Sequence, residues 1–430
     1  MKPQHHSLQV NKKSRVRTAG LLSIVPGLGQ IYNKQRLKGI CFLLLAVAFG
    51  IVFYDILNIG FWGLATLGTL PGVDDSRTLI GQGIVAVFLT MFAVLFYILN
   101  IKDARKIALQ RQEGYEPLSI REGFRHSWDK SFPYVLITPG LILLFIAVIF
   151  PLLFMIVLAF TNYNLFNAPP RSVLDWVGFQ NFVDLATIPI WRNTFFSVLS
   201  WTIVWTAAAT TSQIALAMFL AVIVNDKRIK YKRLIRTVLI LPWAVPSFVT
   251  ILIFAALFND GFGAINRDLL EPLFNTSIPW LTDPFWTKIA LIMIQTWLGF
   301  PFVFALFTGI LQSVSDDWYE AADMDGASRF QKFRFITMPH VLFATAPLLI
   351  MQYAGNFNNF NIIYLFNEGG PPVRGQNAGG TDILISWVYS LAFENSQYSM
   401  AAAISIIIGL IVAVFAIFQF RKSRTFKEGE

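Results

Sequence analysis

The feature that most restricts how this chain folds is a series of long apolar runs. They fall at about residues 37–58, 80–101, 133–161, 193–225, 237–258, 285–313, 341–366 and 400–420 of the 430. A helix rises about 1.5 Å per residue, so roughly 20 apolar residues cross the hydrocarbon of a bilayer. No water is present there, so backbone N–H and C=O groups must bond within each segment, and each run is predicted to be a helix. Composition agrees. Hydrophobic residues make up 55% of the chain and charged ones 14%, against about 25% charged in soluble domains. The expected fold is an all-α membrane protein with about eight transmembrane helices. Pro139 and Pro151 make kinks plausible in the third run, and residues 19–33, AGLLSIVPGLGQIYN, are too short and too broken by Pro26, Gly27 and Gly29 to span. That segment is expected to be interfacial or re-entrant.

Charge placement sets the orientation. With eight spans both termini share a side, and of the 34 lysines and arginines only Arg77, Arg171, Arg192, Arg267, Lys288 and Arg374 fall on the other. The positive-inside rule then makes both termini cytoplasmic. The net charge of +9 is thus a topology signal and does not imply nucleic acid as a partner. No small-residue cleavage site follows the first run, which is expected to be a retained anchor. The one cysteine, Cys41, excludes a disulfide framework, and the four scattered histidines offer no metal spacing. No metal is expected.

From the third run onward no Asp, Glu, Lys or Arg lies in the interior of a run, Lys288 standing at the edge of the sixth. A buried carboxylate is the usual mark of a proton-driven carrier, because it costs about 2.5–3.5 kcal/mol and is kept only for a reason. Its absence argues against proton coupling and leaves no embedded acid–base pair for catalysis. There is also no GxxxxGK[ST] phosphate loop, so an ATP-driven process would need its motor on another subunit. Neutral polar groups are present instead. The seventh run reads MQYAGNFNNFNIIYLF, and Asn356 and Asn359 stand three apart, on one face of a continuous helix. An amide offers two donors and two acceptors, which suits sugar hydroxyls and equally suits hydrogen bonds between helices. Composition leaves both readings open.

Between the sixth and seventh runs lies a polar stretch, WYEAADMDGASRFQKFRFITMP (318–339), placed in the cytoplasm by the charge rule. Glu320-Ala321-Ala322, then Gly326 four residues on, then Ile336 and Met338-Pro339, resembles the EAA loop of the membrane subunits of bacterial ABC importers. Met338 stands where the pattern usually has Leu, a volume-conserving change. Four further stretches, LPWAVPSFVTILIFAALFNDGFGAIN (241–266), TWLGFPFVFALFTGILQSV (296–314), GNFNNFNIIYLFNEGGPP (355–372) and TDILISWVYSLAFE (381–394), look like the MalF-type permease subunit of maltose and maltodextrin importers.

That resemblance covers about residues 133–425 and implies a type I ABC importer permease fold. It divides the chain into residues 1–132 (a cytoplasmic segment, two helices and a linker), a six-helix core at 133–425 with the EAA loop at 314–340, and a tail at 426–430. It implies that Glu320, Ala321, Ala322, Asp325 and Gly326 form a coupling helix that docks on an ATPase subunit. It also implies a mid-membrane sugar site at Leu298, Gly299, Phe302, Gln352, Asn356 and Asn359. Phe302 stands where a tyrosine is expected, Gln352 where a serine is, and Gly355 where an aromatic is. The implied partners are a second, smaller permease, two ATPase subunits holding the ATP and magnesium, and an extracellular sugar-binding protein. The chain itself would bind no cofactor and would not be an enzyme. The outer connection TNYNLFNAPPRSVLDWVGFQNFVDLATIPIW is too short for a separate domain, and NEGGPPVRGQNAGGTD (367–382) is expected to face the binding protein. The alternatives are a permease for another oligosaccharide or a polyol, and a sodium-coupled sugar carrier acting alone.

Overall fold

The computed structural model describes residues 15–113, 120–226 and 228–422. Among them the regular structure is helical, apart from isolated bridges pairing Thr161 with Trp176 and Pro372 with Gly379. The chain divides into two compact units, Met1–Gly178 and Phe179–Glu430.

In the first unit α1 (Arg36–Thr66) and α2 (Ser76–Gln112) form a hairpin. Glycine lets the two backbones approach: a Cβ on Gly60 would lie 2.6 Å from the Gln82 carbonyl oxygen, and one on Gly83 would lie 2.8 Å from Leu64 Cβ. Small residues at such a crossing are how helices pack where lipid removes the hydrophobic drive. Asp75 caps α2 by accepting from the Arg77 N–H at 2.9 Å. Residues 15–22 are helical, turn at Pro26–Gly27, and continue as the short helix Leu28–Tyr32. Asn100 of α2 holds this hairpin, donating to the Ser23 carbonyl at 2.9 Å and accepting from Gly27 N–H at 3.2 Å. Leu21, Ile24 and Val25 stand exposed on it. The third run is helix α3, Ile120–Leu144, which passes through a π-turn at Phe145–Ile149 into Phe150–Leu158. Pro151 lies two residues after that turn, in the first turn of the next helical stretch, where its missing N–H is best tolerated.

The second unit contains α4 (Pro189–Asn225), α5 (Lys232–Ile240), α6 (Ser247–Leu257), α7 (Pro284–Leu311), α8 (Asp316–Met324), α9 (Met338–Phe357), α10 (Phe360–Asn367), α11 (Leu384–Tyr389) and α12 (Tyr398–Lys422). Helices α4 and α7 form the central pair. Three apolar clusters flank them, around Trp205, Ile294 and Ile363, around Phe304, Phe307 and Val341, and around Trp387, Leu384 and Ile404.

Each of the eight expected runs falls on a helix. Among the described residues six helical segments are long and apolar enough to span, and the pair Lys232–Ala244 and Ser247–Leu257 makes a seventh if counted as one. Two runs depart from straight spans. The fifth is bent by 86°, because LPWAVP places Pro242 in a 3-10 turn and Pro246 at the N-cap of α6. The seventh breaks at Asn358, whose φ of −111° and ψ of 24° end α9. Four asparagines in six residues compete for the backbone there, and the helix restarts at Phe360.

Candidate functional site

A seam of uncharged polar groups crosses the middle of the second unit. On α7 the spacing of Gln295, Leu298, Gly299 and Phe302 puts all four on one face, about halfway along a helix of 28 residues. Helix α4 presents Thr210 and Gln213, one turn apart, and α9 presents Gln352 and Asn356, also one turn apart. Gln213 Nε2 donates to Gln352 Oε1 at 3.3 Å. Asn356 Nδ2 donates to Thr210 Oγ1 at 2.8 Å. Asn359 Nδ2 reaches Gln295 Oε1 at 3.1 Å and Asn356 Oδ1 at 3.4 Å. Trp205 Nε1 donates to the Asn356 carbonyl at 2.9 Å, which anchors the end of α9 where its own ladder stops.

Thr210, Gln213, Gln295 and Asn356 are all buried. Gly299 is required by proximity, since a Cβ there would meet the Gln213 carboxamide, with its Cδ 2.6 Å away. Gln213 Oε1 is buried without a hydrogen-bond partner, an open acceptor at the centre of the seam. Leu298 packs on the Trp205 cluster, and Phe302 packs on the Phe304 cluster while meeting Trp243 edge-on at 5.8 Å. The arrangement offers paired donors and acceptors without a formal charge, walled by apolar and aromatic groups. Such a set suits a neutral, hydroxyl-rich ligand. Among the described residues no group of His, Cys, Asp or Glu is arranged to hold a metal.

The residues singled out in the sequence therefore meet here: Gly299, Gln352, Asn356 and Asn359 in the seam, Leu298 and Phe302 at its two sides. Asn356 and Asn359 do so across a helix break and not along one continuous face. Thr210, Gln213 and Gln295 were missed. Their signal was available, because Gln213 and Gln295 are amides inside otherwise apolar runs, as costly to leave unpaired in lipid as Asn356.

The polar stretch after α7 builds a compact surface element. Ser315 caps α8 by accepting from Asp317 N–H at 3.3 Å, and Asp316 and Asp317 sit favourably at its positive end. Asp325 closes the helix, and Gly326 turns the chain at φ 73°, a left-handed conformation that costs glycine nothing. Ser328 and Gln331 then cap the next turn reciprocally, at 3.3 and 2.7 Å. Lys332 pairs with Asp323 at 2.6 Å and Tyr319 shares a hydrogen bond with Thr337 at 2.9 Å, so α8 is fastened to the start of the α9 region. His340, at the mouth of that run, meets Trp318 edge-on at 5.4 Å. Glu320, Ala321, Asp325 and Gly326 are exposed and Ala322 half-buried, while Met324 is 89% exposed.

The Gly/Pro-rich loop 367–382 is tightly held. Thr381 accepts from Trp201 Nε1 at 3.0 Å, and Asn377 accepts from Trp387 Nε1 at 3.1 Å. Buried Asp382 accepts from Ser386 Oγ at 2.7 Å and from Gly379 N–H at 2.8 Å. Burial pushes its carboxyl up to about 6, against the lowering effect of those two bonds.

Comparison with known proteins gives relatives along nearly the whole chain. Residues 213–426 match the family described as the binding-protein-dependent transport system inner membrane component. The galactooligosaccharides transport system permease protein GanP of Bacillus subtilis is 54% identical over 96% of this chain and 99% of its own length. The maltodextrin transport system permease protein MdxF of the same organism is 46% identical over 99% of both chains. The maltose/maltodextrin permease MalF of Salmonella typhimurium is 40% identical over 58% of this chain but only 49% of its own. A crystal structure of a bacterial ABC transporter that imports alginate has a chain sharing the fold, with a TM-score of 0.58 at 21% identity, covering 70% of this chain and 98% of that one.

Proposed function

This chain belongs to the family of binding-protein-dependent inner-membrane transport components, and from that membership we propose that it carries a neutral oligosaccharide across the membrane as one of two permeases of an ABC importer. The buried, uncharged amide seam is the observation that supports this cargo class. Gln213, Gln295, Gln352, Asn356 and Asn359 would exchange bonds among themselves for bonds to sugar hydroxyls at little net cost, and the unpartnered Gln213 Oε1 would gain one. Leu298, Gly299 and Phe302 would shape the walls, with Gly299 allowing close approach. A second, smaller permease completes the path, and an external binding protein delivers the sugar. Two ATPase subunits hold ATP and magnesium and dock on Glu320, Ala321, Ala322, Asp325 and Gly326. Both termini lie in the cytoplasm. Residues 1–132 add two helices to a six-helix core at 133–425, and 426–430 form a tail.

In this reading ATP-driven closure of the ATPases moves α8, and its fastening to the α9 region passes the movement to the seam. The break at Asn358 supplies a point where α9 and α10 can shift separately. Membership in an ABC importer family sets aside a sodium-coupled carrier acting alone. The relatives named for galactooligosaccharide and maltodextrin define the cargoes to test first. The assay is ATP hydrolysis by the reconstituted four-subunit complex with its binding protein, across maltodextrins, galactooligosaccharides and a polyol. Stimulation by one oligosaccharide class identifies the cargo. A complex that assembles yet responds to no sugar overturns the proposal.

A further inference from the structure

Four aromatic rings lead away from the seam. Phe360 follows Asn359 directly, and Tyr364 lies one turn further along α10. Their rings stack at 5.0 Å and 18°. Tyr389 of α11 meets Phe360 at 4.8 Å and Tyr364 at 5.0 Å, and Phe393 continues from Tyr389 at 4.9 Å. No step in this ladder exceeds 5.0 Å, so the rings form a continuous surface.

They are not the core of α10, which buries its other face through Ile362, Ile363 and Phe366. Phe360, Tyr364 and Tyr389 remain half-exposed, and Phe393 is 74% exposed. Nor does the surface suit lipid. Glu368 ends α10 four residues after Tyr364, and Glu394 follows Phe393 directly, so each arm of the ladder finishes beside a carboxylate-bearing residue. Both carboxylates are exposed, and charged groups facing hydrocarbon cost about 2.5–3.5 kcal/mol each. The ladder is therefore wet at its outer end, and at its inner end it begins at the residue that follows Asn359 of the seam.

We propose that Phe360, Tyr364, Tyr389 and Phe393 form a second sugar subsite, along which an oligosaccharide slides from the outer opening to Asn359. This rests on the reading of the chain as an oligosaccharide permease. Aromatic faces take up the apolar C–H face of a sugar ring, and the two tyrosine hydroxyls offer hydrogen bonds without charge. Because the ladder is a run of like surfaces and not a pocket, it holds successive sugar units weakly and favours longer chains.

The test uses the complete importer in liposomes, with Phe393→Cys in a Cys41→Ser background and partner subunits without cysteine. A membrane-impermeant maleimide added on the side of the binding protein should label the new cysteine. Transported oligosaccharide together with binding protein should slow labelling several-fold, and sugar-free binding protein should not. Labelling by a permeant reagent only, equal slowing by sugar-free binding protein, or no effect of sugar each overturns the subsite. Should Phe393→Cys fail to assemble, Tyr389→Ala decides: uptake of long oligosaccharides should fall several-fold more than uptake of short ones, and an equal or absent loss across lengths overturns it. The parent complex's sugar-stimulated ATPase is read in the same preparation. Its absence refutes the permease reading itself, whereas its presence without protection refutes the ladder alone.

Discussion

Replacing Gly299 by alanine tests the geometry of the seam most directly. The new methyl would lie 2.6 Å from Gln213 Cδ, well inside ordinary contact. Gln213 is fully buried and cannot retreat into solvent, so its carboxamide must turn away and leave Gln352, to which it donates at 3.3 Å. Overpacking a filled site costs about 1–3 kcal/mol, and the lost hydrogen bond about 0.5–1.5 kcal/mol. At about 1.4 kcal/mol per factor of ten, sugar-stimulated ATP hydrolysis by the reconstituted importer should fall about tenfold or more. Truncating the clashing partner supplies the control. Gln213→Ala alone removes the same hydrogen bond, but in the double variant Gly299→Ala/Gln213→Ala the methyl has space. The two changes should therefore be less than additive, with a coupling of about 1–3 kcal/mol in favour of the double variant. Wild-type activity in Gly299→Ala, or strict additivity in the cycle, would show that Gly299 and Gln213 are not in the contact described.

Two further outcomes are expected. Glu320→Lys, on the exposed face of α8, should abolish uptake and sugar-stimulated ATP hydrolysis while insertion and assembly persist; normal uptake would remove Glu320 from the coupling surface. Asp382 has a folded-state value raised to about 6 from 3.8 by burial, so the stability it contributes is complete below the lower value and lost as pH rises through the upper one. Relative to Asp382→Asn, the wild-type complex should lose about 1 kcal/mol between pH 5 and pH 8 in thermal unfolding, and identical pH slopes for the two proteins would refute the burial of that carboxyl.

Much of the candidate site was legible in the chain because lipid makes polar groups conspicuous. Asn356 and Asn359 stood out inside an apolar run, and their amides do meet, at 3.4 Å. The reason first given for their meeting, a shared face of one helix, does not hold, since α9 ends between them. Gln213 and Gln295 carried the same signal as the asparagines but lay alone in their runs. Only the packing of α4 against α7 and α9 brings their carboxamides to Gln352 and Asn359. The aromatic ladder was less legible still. With 41 phenylalanines in the chain, no single ring is informative, and Tyr389 is 25 residues beyond Tyr364 along it.

By itself the sequence determined what depends on local chemistry and on the solvent. Apolar length dictated helices, the placement of lysine and arginine dictated the expected orientation, and Glu320-Ala321-Ala322 with Gly326 dictated a short helix ended by a left-handed turn, found at φ 73°. Tertiary structure decided what depends on distant residues sharing space. It set the choice of partner for each buried amide, whereas the 86° bend of the fifth run and the break at Asn358 follow from local prolines and asparagines. Backbone hydrogen bonds in a helix close within four residues and so can be read locally. A side-chain amide has no such rule: its partner is whatever acceptor the neighbouring helices bring within reach, and for Asn356 that is Thr210, on α4.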